Sequence, residues 1–411
     1  MKILHTSDWH LGHKLYGRQR YEEFTSFLQW LERCIEKHGV ETLIVAGDIF
    51  DSQTPSNRSL AMYYGFLSRI SHSCCRHIII VGGNHDSPTL LNAPRELLHS
   101  LDIHVVGSVP VDIKDELIVL YDKNHEPDAL ILAVPYLRDK DIRVSTAQET
   151  LDDKHRKMLQ GICDHYSALV KLALKKQKQL VEKNGKKLPI IATGHLFCQG
   201  GVTRQGDGVR ELYVGTLVRV GLDCFPKEID YLALGHLHFP QLVAKQENRR
   251  YSGSPLTMNF SEAGEQKMVL LVDSSDEMSV QEIPVPCFQQ LLNISGNLEH
   301  ILQTIKILAA QRQSILLEIH YKGETLIDSL QEQIVAAVEE TQLEVLRISN
   351  KRIYNYILRQ SSEIKTLEEL SPYQVFQQCL DLSEIPPEQQ KEMTLDFAAT
   401  FSALNHSEQK A

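Results

Sequence analysis

The sequence predicts an α/β protein, in which mostly buried strands are packed by helices, and three observations carry that reading. Short apolar, β-branched runs recur along the first two thirds of the chain. Helical patterns of apolar residues separate them. Five of the runs stop at a polar residue of a kind that binds hard metal ions. At 411 residues and 42 % hydrophobic content, the chain can also bury a large core, spread over roughly two or three domains.

Taken in order, the five runs are residues 3–6, 42–46, 77–81, 189–193 and 231–234, and each reads as a buried strand. Between them, residues 21–37, 58–71 and 93–100 repeat apolar positions at helical spacing, and Ser87-Pro88 offers a helix start. Segment 171–187 carries seven lysines against the single Glu182. Its apolar positions Tyr166, Leu169, Val170, Ala173, Leu180 and Val181 fall at helical spacing, which leaves Lys171, Lys175 and Lys178 on another face. That face is either an ordinary solvated surface or a set of phosphate contacts.

Asp273-Ser274-Ser275-Asp276-Glu277 reads as a turn, and Pro284 and Pro286 punctuate the approach to a second unit. This unit reads as strand 289–294, helix 298–310, strand 315–321, helix 325–340 and strand 343–348, a smaller α+β domain over residues 283–350 after a first domain of residues 1–275. A helical pair over residues 366–405 follows. Ser371-Pro372-Tyr373-Gln374 is a capping box with proline at the first helical position, Pro386-Pro387 breaks the chain, and Phe397, Phe401 and Leu404 share one face of the second helix. That stripe packs either on the protein's own body or on a partner.

The formal charge of −10 argues against a protein that is basic all over, so any nucleic-acid contact must come from a local patch or a partner. No run of about 18 apolar residues is present to span a bilayer, and the first residues enter a strand without the pattern of a signal peptide. The eight cysteines show no C-x-x-C spacing, so reduced thiols and a cytoplasmic location are expected. A Gly-x-x-x-x-Gly-Lys-Ser/Thr loop is missing too, so no ATP site is expected here.

The residues that close the five strands are Asp8 and His10, Asp48, Asn84, His195, and His236 with His238. An open α/β sheet places its site there, outside the carboxyl ends of the strands. Any one of these histidines, taken singly, is more often a hydrogen-bonded residue than a ligand; five blocks at strand ends are hard to attribute to chance. Two carboxylates, an amide oxygen, four imidazoles and no thiolate suit manganese or iron better than a structural zinc site. Seven side chains exceed the needs of one catalytic ion, so two ions sharing a carboxylate are expected, with Asp48 as the bridge. Asp51 reads either as a neighbour of the site or as a turn cap. His5, His38, His104 and His320 have no partner at useful spacing and read as structural.

Asp8-Trp9-His10, Gly47-Asp48-x-Phe50-Asp51, Gly83-Asn84-His85-Asp86, Gly194-His195 and Gly235-His236-Leu237-His238 resemble, in order, the five motifs of the calcineurin-like metallophosphoesterases. Stretches 3–12, 188–196 and 250–255 are closer still to the SbcD-type nucleases of that superfamily. The resemblance implies a four-layer α-β-β-α sandwich. It implies one Mn2+ held by Asp8, His10, Asp48 and His238, and a second held by Asp48, Asn84, His195 and His236. His85 would be the family's unliganded histidine and act as general acid, with the following Asp86 fixing its tautomer.

From the same resemblance, residues 1–275 would be the nuclease domain, residues 283–350 a capping domain that orients DNA, and the helical pair a docking element for the coiled coil of an SbcC-like ATPase, which would use the ATP. The expected activity is that of an exonuclease on double-stranded ends and an endonuclease on single strands or hairpins, in DNA repair, recombination and replication. A homodimer within a heterotetramer is expected, without a membrane partner. Two other readings stay open: a two-metal phosphatase or phosphodiesterase on a non-DNA phosphoester, and a non-catalytic tethering subunit.

Overall fold

A computed structural model describes residues 1–143, 149–201, 219–275, 278–323 and 329–350, the side chains of Leu151, Lys183 and Asn184 excepted, together with Phe376, Gln390, Met393, Thr394 and Phe397. The chain divides into two compact units, Met1–Leu292 with Ser314–Leu316, and Asn293–Gln313 with Leu317–Ala411.

The first unit is built on alternation. Successive side chains of a strand point to opposite faces, and the central strands are apolar on both. In Lys2–Thr6, Thr42–Ala46 and His77–Val81, one set of residues (Leu4, Leu43, Val45, Ile78, Ile80) packs under helices Tyr21–His38 and Asn57–Ile70, against Phe24, Phe27, Leu31 and Phe66. The alternate set, Ile3, Ile44, Ile79 and Val81, meets Ile131, Ile191, Tyr231 and Ala233 of a second sheet. On the far side of that second sheet, Leu130, Leu132, Ala192 and Leu234 pack against Tyr166, Leu169 and Ala173 of helix Leu151–Asn184. The result is a four-layer α-β-β-α sandwich with three apolar layers.

The first sheet runs Ser279–Pro284, Met268–Asp273, Lys2–Thr6, Thr42–Ala46, His77–Val81, Ile103–Val106. Its last four strands are parallel, and the first two join antiparallel. The second runs Gln241–Val243, Gln246–Tyr251, Tyr231–Gly235, Ile190–His195, Pro127–Leu132, Leu117–Tyr121, parallel in its four central strands. His5 is buried at the inter-sheet layer with its Nδ1 3.0 Å from the Tyr231 hydroxyl, in the structural role expected of it.

Three expectations need correction. The helix expected over residues 93–100 is shortened to Arg95–His99, because Pro94 cannot supply an interior N–H and becomes its cap, while Ser87-Pro88 starts the separate helix Pro88–Asn92 as expected. The turn after Asp273 connects antiparallel strands, and Ser279–Pro284 escaped notice because, as an outer strand, it buries Ile283 alone. Cys163 and Cys224 form a disulfide, so the cysteines are not all thiols. Helix Leu151–Asn184 brings Cys163 beside the turn Leu222–Cys224, and a sequence separation of 61 residues hides that proximity. The helix starts at Thr150, whose side chain accepts from the Asp153 N–H, and stops at Gly185 in the left-handed conformation; Lys171, Lys175 and Lys178 are exposed along it.

In the C-terminal part, strands Gln290–Gly296, Ile315–Tyr321 and Leu343–Asn350 form a three-stranded sheet with Ile315–Tyr321 in the middle, accompanied by helices Leu298–Ala309 and Leu330–Val338. Beyond Asn350, Phe376 and Phe397 are both helical and stack with ring centroids 4.1 Å apart. The capping box at residues 371–374, Phe401 and Leu404 lie outside the described residues. Among the described residues, no helix is long and apolar enough to cross a membrane.

Ile79 is fully buried between the two sheets. Ile79→Ala is expected to lower the free energy of unfolding by about 2–5 kcal/mol in urea titrations, whereas Leu97→Ala, at a side chain 70 % exposed, should stay within about 0.5 kcal/mol of the parent.

Candidate metal centre

Every residue expected at the site lies where a parallel strand delivers its carboxyl end. Asp8 and His10 follow Lys2–Thr6, Asp48 follows Thr42–Ala46, and Asn84 follows His77–Val81. His195 ends Ile190–His195, and His236 and His238 follow Tyr231–Gly235. The first four come from one sheet and the last three from the other, so the centre sits at the seam between them. Asp8, His10, Asp48 and His236 have φ of 52, 47, 50 and 100°, in the left-handed region that non-glycine residues avoid. Strain of this kind persists where the surrounding packing enforces it and clusters at functional sites.

Glycines make the close approach possible. A Cβ on Gly47 would stand 2.2 Å from His195 Nδ1, and one on Gly83 would stand 2.2 Å from Asp48 Oδ1. Neither contact leaves room for any other residue.

The side chains converge in two groups, Asp8 with His10 and His238, and Asp48 with His195 and His236, and within each group the ligand atoms lie within 4.8 Å of one another. Asp48 Oδ2 stands 3.2 Å from His195 Nε2 and 3.7 Å from His10 Nε2, so it faces both groups. Asn84 Oδ1 is 3.0 Å from both His195 Nε2 and His236 Nδ1. His10 Nε2 and His238 Nε2 approach to 3.1 Å. The outer nitrogens are tied down: His195 Nδ1 donates to the Ala46 carbonyl at 2.9 Å, and His238 Nδ1 faces Glu262 Oε1 at 3.4 Å. Ligating histidines are commonly oriented in this way, with one nitrogen anchored and the other aimed inward.

Burial acts on every one of these groups, and their neighbours decide the outcome. Desolvation raises Asp8 and lowers His10 well below the usual imidazole range, and it lowers His236 to about 3 with help from the His195 charge. For Asp48, desolvation acts upward but is outweighed by the His195 charge and hydrogen bond, which hold the carboxyl well below its ordinary value. The reciprocal effect pushes His195 up to about 9 against its own desolvation. Asp48 and His195 therefore form a buried ion pair, and a cation arriving between them must displace the His195 proton. Convergent ring nitrogens, a carboxylate facing both groups and anchored outer nitrogens all fit a pair of hard divalent cations.

His85 lies beside the centre, its ring centroid 5.0 Å from that of His10, and its N–H donates to Asp48 Oδ1 at 2.9 Å. The expected role of Asp86 as the partner of the His85 ring needs correction. His85 Nδ1 donates instead to the Asp51 carbonyl at 3.0 Å. The Asp86 carboxylate is fully buried and accepts from the N–H groups of Gly83, Phe50 and Ile49 at 2.9, 3.0 and 3.1 Å. It thereby clamps the Asp48 and Asn84 loops together; burial and the Asp48 charge push it up to about 6. Asp51 is no simple turn cap: its carboxylate meets His13 Nδ1 at 2.9 Å and lies 3.7 Å from His10 Nδ1.

Several residues that matter here carried no sequence signal. Ser7 donates to Asp8 and contacts Ser252 at 2.9 Å, and Glu262 behind His238 is held by Lys267 at 2.6 Å. An open cleft of about 610 Å³ lies over His10, His85 and His238, with Lys14, Tyr21 and Ser56 on its walls. Lys171, Lys175 and Lys178 do not line it.

Comparison with known proteins agrees with this geometry. The calcineurin-like phosphoesterase family model matches residues 1–240, and the SbcD C-terminal model, described as a type 5 capsule protein repressor C-terminal domain, matches residues 287–384. The SbcD subunit of the nuclease SbcCD from Escherichia coli K12 is 34 % identical over 98 % of each chain. Its counterpart in Bacillus subtilis 168 is 32 % identical over 69 % of each, and that of Rhodobacter capsulatus 33 % identical over 70 % of this chain and 69 % of its own. The chain belongs to the calcineurin-like phosphoesterases, and within them to the SbcD family.

Proposed function

We propose that the protein is a manganese-dependent DNA phosphodiesterase, the nuclease subunit of an SbcCD-type complex. The observation that carries this reading is Asp48 facing two groups of ligand atoms at the seam of two sheets, beneath an open cleft. Asp8, His10, Asp48 and His238 would hold one Mn2+, and Asp48, Asn84, His195 and His236 the other. Bound there, two divalent ions supply a nucleophile at neutral pH and neutralise charge on the phosphate oxygens.

The chain's own residues do the rest. Asp48 sets the spacing of the two halves, with its second oxygen fixed by the His85 N–H. The Asp51 carbonyl accepts the hydrogen bond of the His85 Nδ1–H, which leaves Nε2 as the atom free to exchange a proton with the leaving oxygen. Asp51, through His13, braces the neighbouring wall.

The family membership supports an SbcC-like ATPase as partner, with ATP used there, and the activities expected of such a complex: ATP-dependent exonuclease on double-stranded ends and endonuclease on single strands or hairpins. In this reading residues 1–275 are the nuclease domain, 283–350 cap and orient DNA, and 366–405 dock the partner's coiled coil. The exposed lysines 171, 175 and 178 offer phosphate contacts on the outer helix layer, and the protein works as a homodimer within a heterotetramer in the cytoplasm.

Incubating the purified chain and Mn2+ with single-stranded DNA, a hairpin and p-nitrophenyl phosphate esters tests the substrate. Cleavage of both DNAs is expected; hydrolysis of the esters with both DNAs left intact would reject a nuclease. In the same assay His85→Ala should keep its metal and bind DNA while turnover falls by about 10²- to 10⁴-fold.

Metal analysis separates the ligands. Asp48→Asn is expected to lose both ions, and His195→Ala mainly one; retention of both ions by Asp48→Asn would remove it from the bridging position. Because Asp86 clamps the two loops and does not touch the His85 ring, Asp86→Asn should weaken Mn2+ binding by about 10- to 100-fold, read by titration. Unchanged Mn2+ affinity with reduced turnover would return Asp86 to a role in orienting His85.

A further inference from the structure

We propose that His77, Asp102 and His104 form a second metal site, mononuclear and selective for a borderline ion of the zinc class, at the opposite end of the first sheet from the centre described above. Their ligand atoms lie within 4.8 Å of one another. His77 opens the strand His77–Val81, whose other end leads to Asn84; four residue rises alone separate the two places by about 13 Å.

The built feature is His77. Its residue is buried, with 6 % of its surface exposed, and its Nδ1 has no hydrogen-bond partner among the described residues. Its Nε2 lies 2.8 Å from the Tyr121 carbonyl, which can only accept, and 3.3 Å from the Tyr121 N–H, which can only donate. The closer contact decides the tautomer: the proton sits on Nε2, and Nδ1 is left as a bare, buried lone pair. One ring nitrogen donating to a backbone carbonyl while the other is free is the arrangement that presents an imidazole to a metal. Leaving such an atom unsatisfied costs stability, and a cation would remove that cost.

Asp102 and His104 complete the donor set from the neighbouring strand. His104 pairs with Ile79, so it projects from the same face of the sheet as His77. Burial, with smaller effects from His99 and His77, lowers His104 to about 4, so the ring is neutral and its lone pair available. Asp102 precedes the strand with φ of 56°, similar to the 52° of Asp8 at the other end of the sheet, and each is followed at the second residue by a histidine. The His99 ring packs edge-on against His104 at 5.1 Å.

The three residues line an open cleft of about 450 Å³, which leaves space for a fourth, solvent ligand. Two basic groups share the cleft, but Arg95 lies 3.7 Å from Asp115 and Lys114 3.5 Å from Asp112, so neither stands there as an uncompensated charge. Two imidazoles and one carboxylate suit Zn2+ better than Mn2+ or Mg2+, which favour oxygen donors.

The test is zinc stoichiometry in the full chain. After chelator treatment and dialysis against Zn2+ alone, His104→Gln and Asp102→Asn should each bind one zinc per chain fewer than the parent. In Mn2+ both variants should hydrolyse a p-nitrophenyl phosphodiester at the parent rate, because neither residue belongs to the seam centre. Asp102 is exposed and asparagine tolerates its left-handed φ, so Asp102→Asn reads the site even if His104→Gln folds poorly. Substitution with Co2+ gives a second readout, a visible absorption component present in the parent and missing from both variants. Equal zinc content in parent and Asp102→Asn overturns the proposal.

Discussion

The Asp48 carboxylate is the group on which the rest of this structure depends. It is almost fully buried, so its charge has been taken out of water, and that is tolerable only with compensating partners on every side. The partners come from both sheets: the His85 N–H and His10 from its own, His195 from the other. They can meet only if the carboxyl ends of two separate sheets arrive at one seam. The inter-sheet layer of Ile3, Ile44, Ile79, Ile131, Ile191 and Ala233 sets that distance. Since strand side chains alternate with a period of two, a slip of one residue in any of these strands would turn the layer inside out and move its ligand away from the seam.

Much of this was legible in the sequence because both parts of the signal are local. An apolar run ending at a polar residue reveals a strand and its carboxyl end together, and the observed strands Thr42–Ala46 and His77–Val81 match the expected runs residue for residue. What stayed hidden is tertiary. Asp86 follows His85 directly, so a contact between their side chains was the natural expectation; the fold instead turns Asp86 inward to three backbone N–H groups. Glu262 lies 24 residues from His238, and His104 lies 27 residues from His77, with no spacing rule to connect either pair. Pro94 could have been recognised as the cap from which the helix expected over residues 93–100 starts, since its effect is local as well.

Three of the four imidazoles at the seam are buried and the fourth, His236, is half-buried, yet their proton affinities do not follow burial alone. Burial drives His10 and His236 down, while the Asp48 charge drives His195 up to about 9 and Glu262 supports His238 against the same desolvation. Only the last two have a carboxylate within 3.5 Å to compensate for a proton, at 3.2 and 3.4 Å, whereas those nearest the His10 ring stand at 3.7 Å. A site built for neutral ligands thus keeps some of its protons when no cation is present, and metal uptake and proton release become one event. This coupling is a consequence of the burial that also keeps the ligands in place.

The same logic explains where strain is tolerated. Left-handed φ at Asp8, His10, Asp48 and His236 would be costly in isolation, at roughly 1–3 kcal/mol each. All four lie within four residues of the ends of strands that are locked on both faces, by the helices on one side and the partner sheet on the other. The apolar layers therefore do more than stabilise the sandwich: they hold the strand ends so firmly that the loops must accept conformations they would otherwise leave. Asp86 extends that grip past the strand ends, tying Ile49 and Phe50 of one loop to Gly83 of the next. Precision at the centre comes from rigidity outside it, and the residues that look least chemical, the isoleucines between the sheets, set the geometry that the chemistry requires.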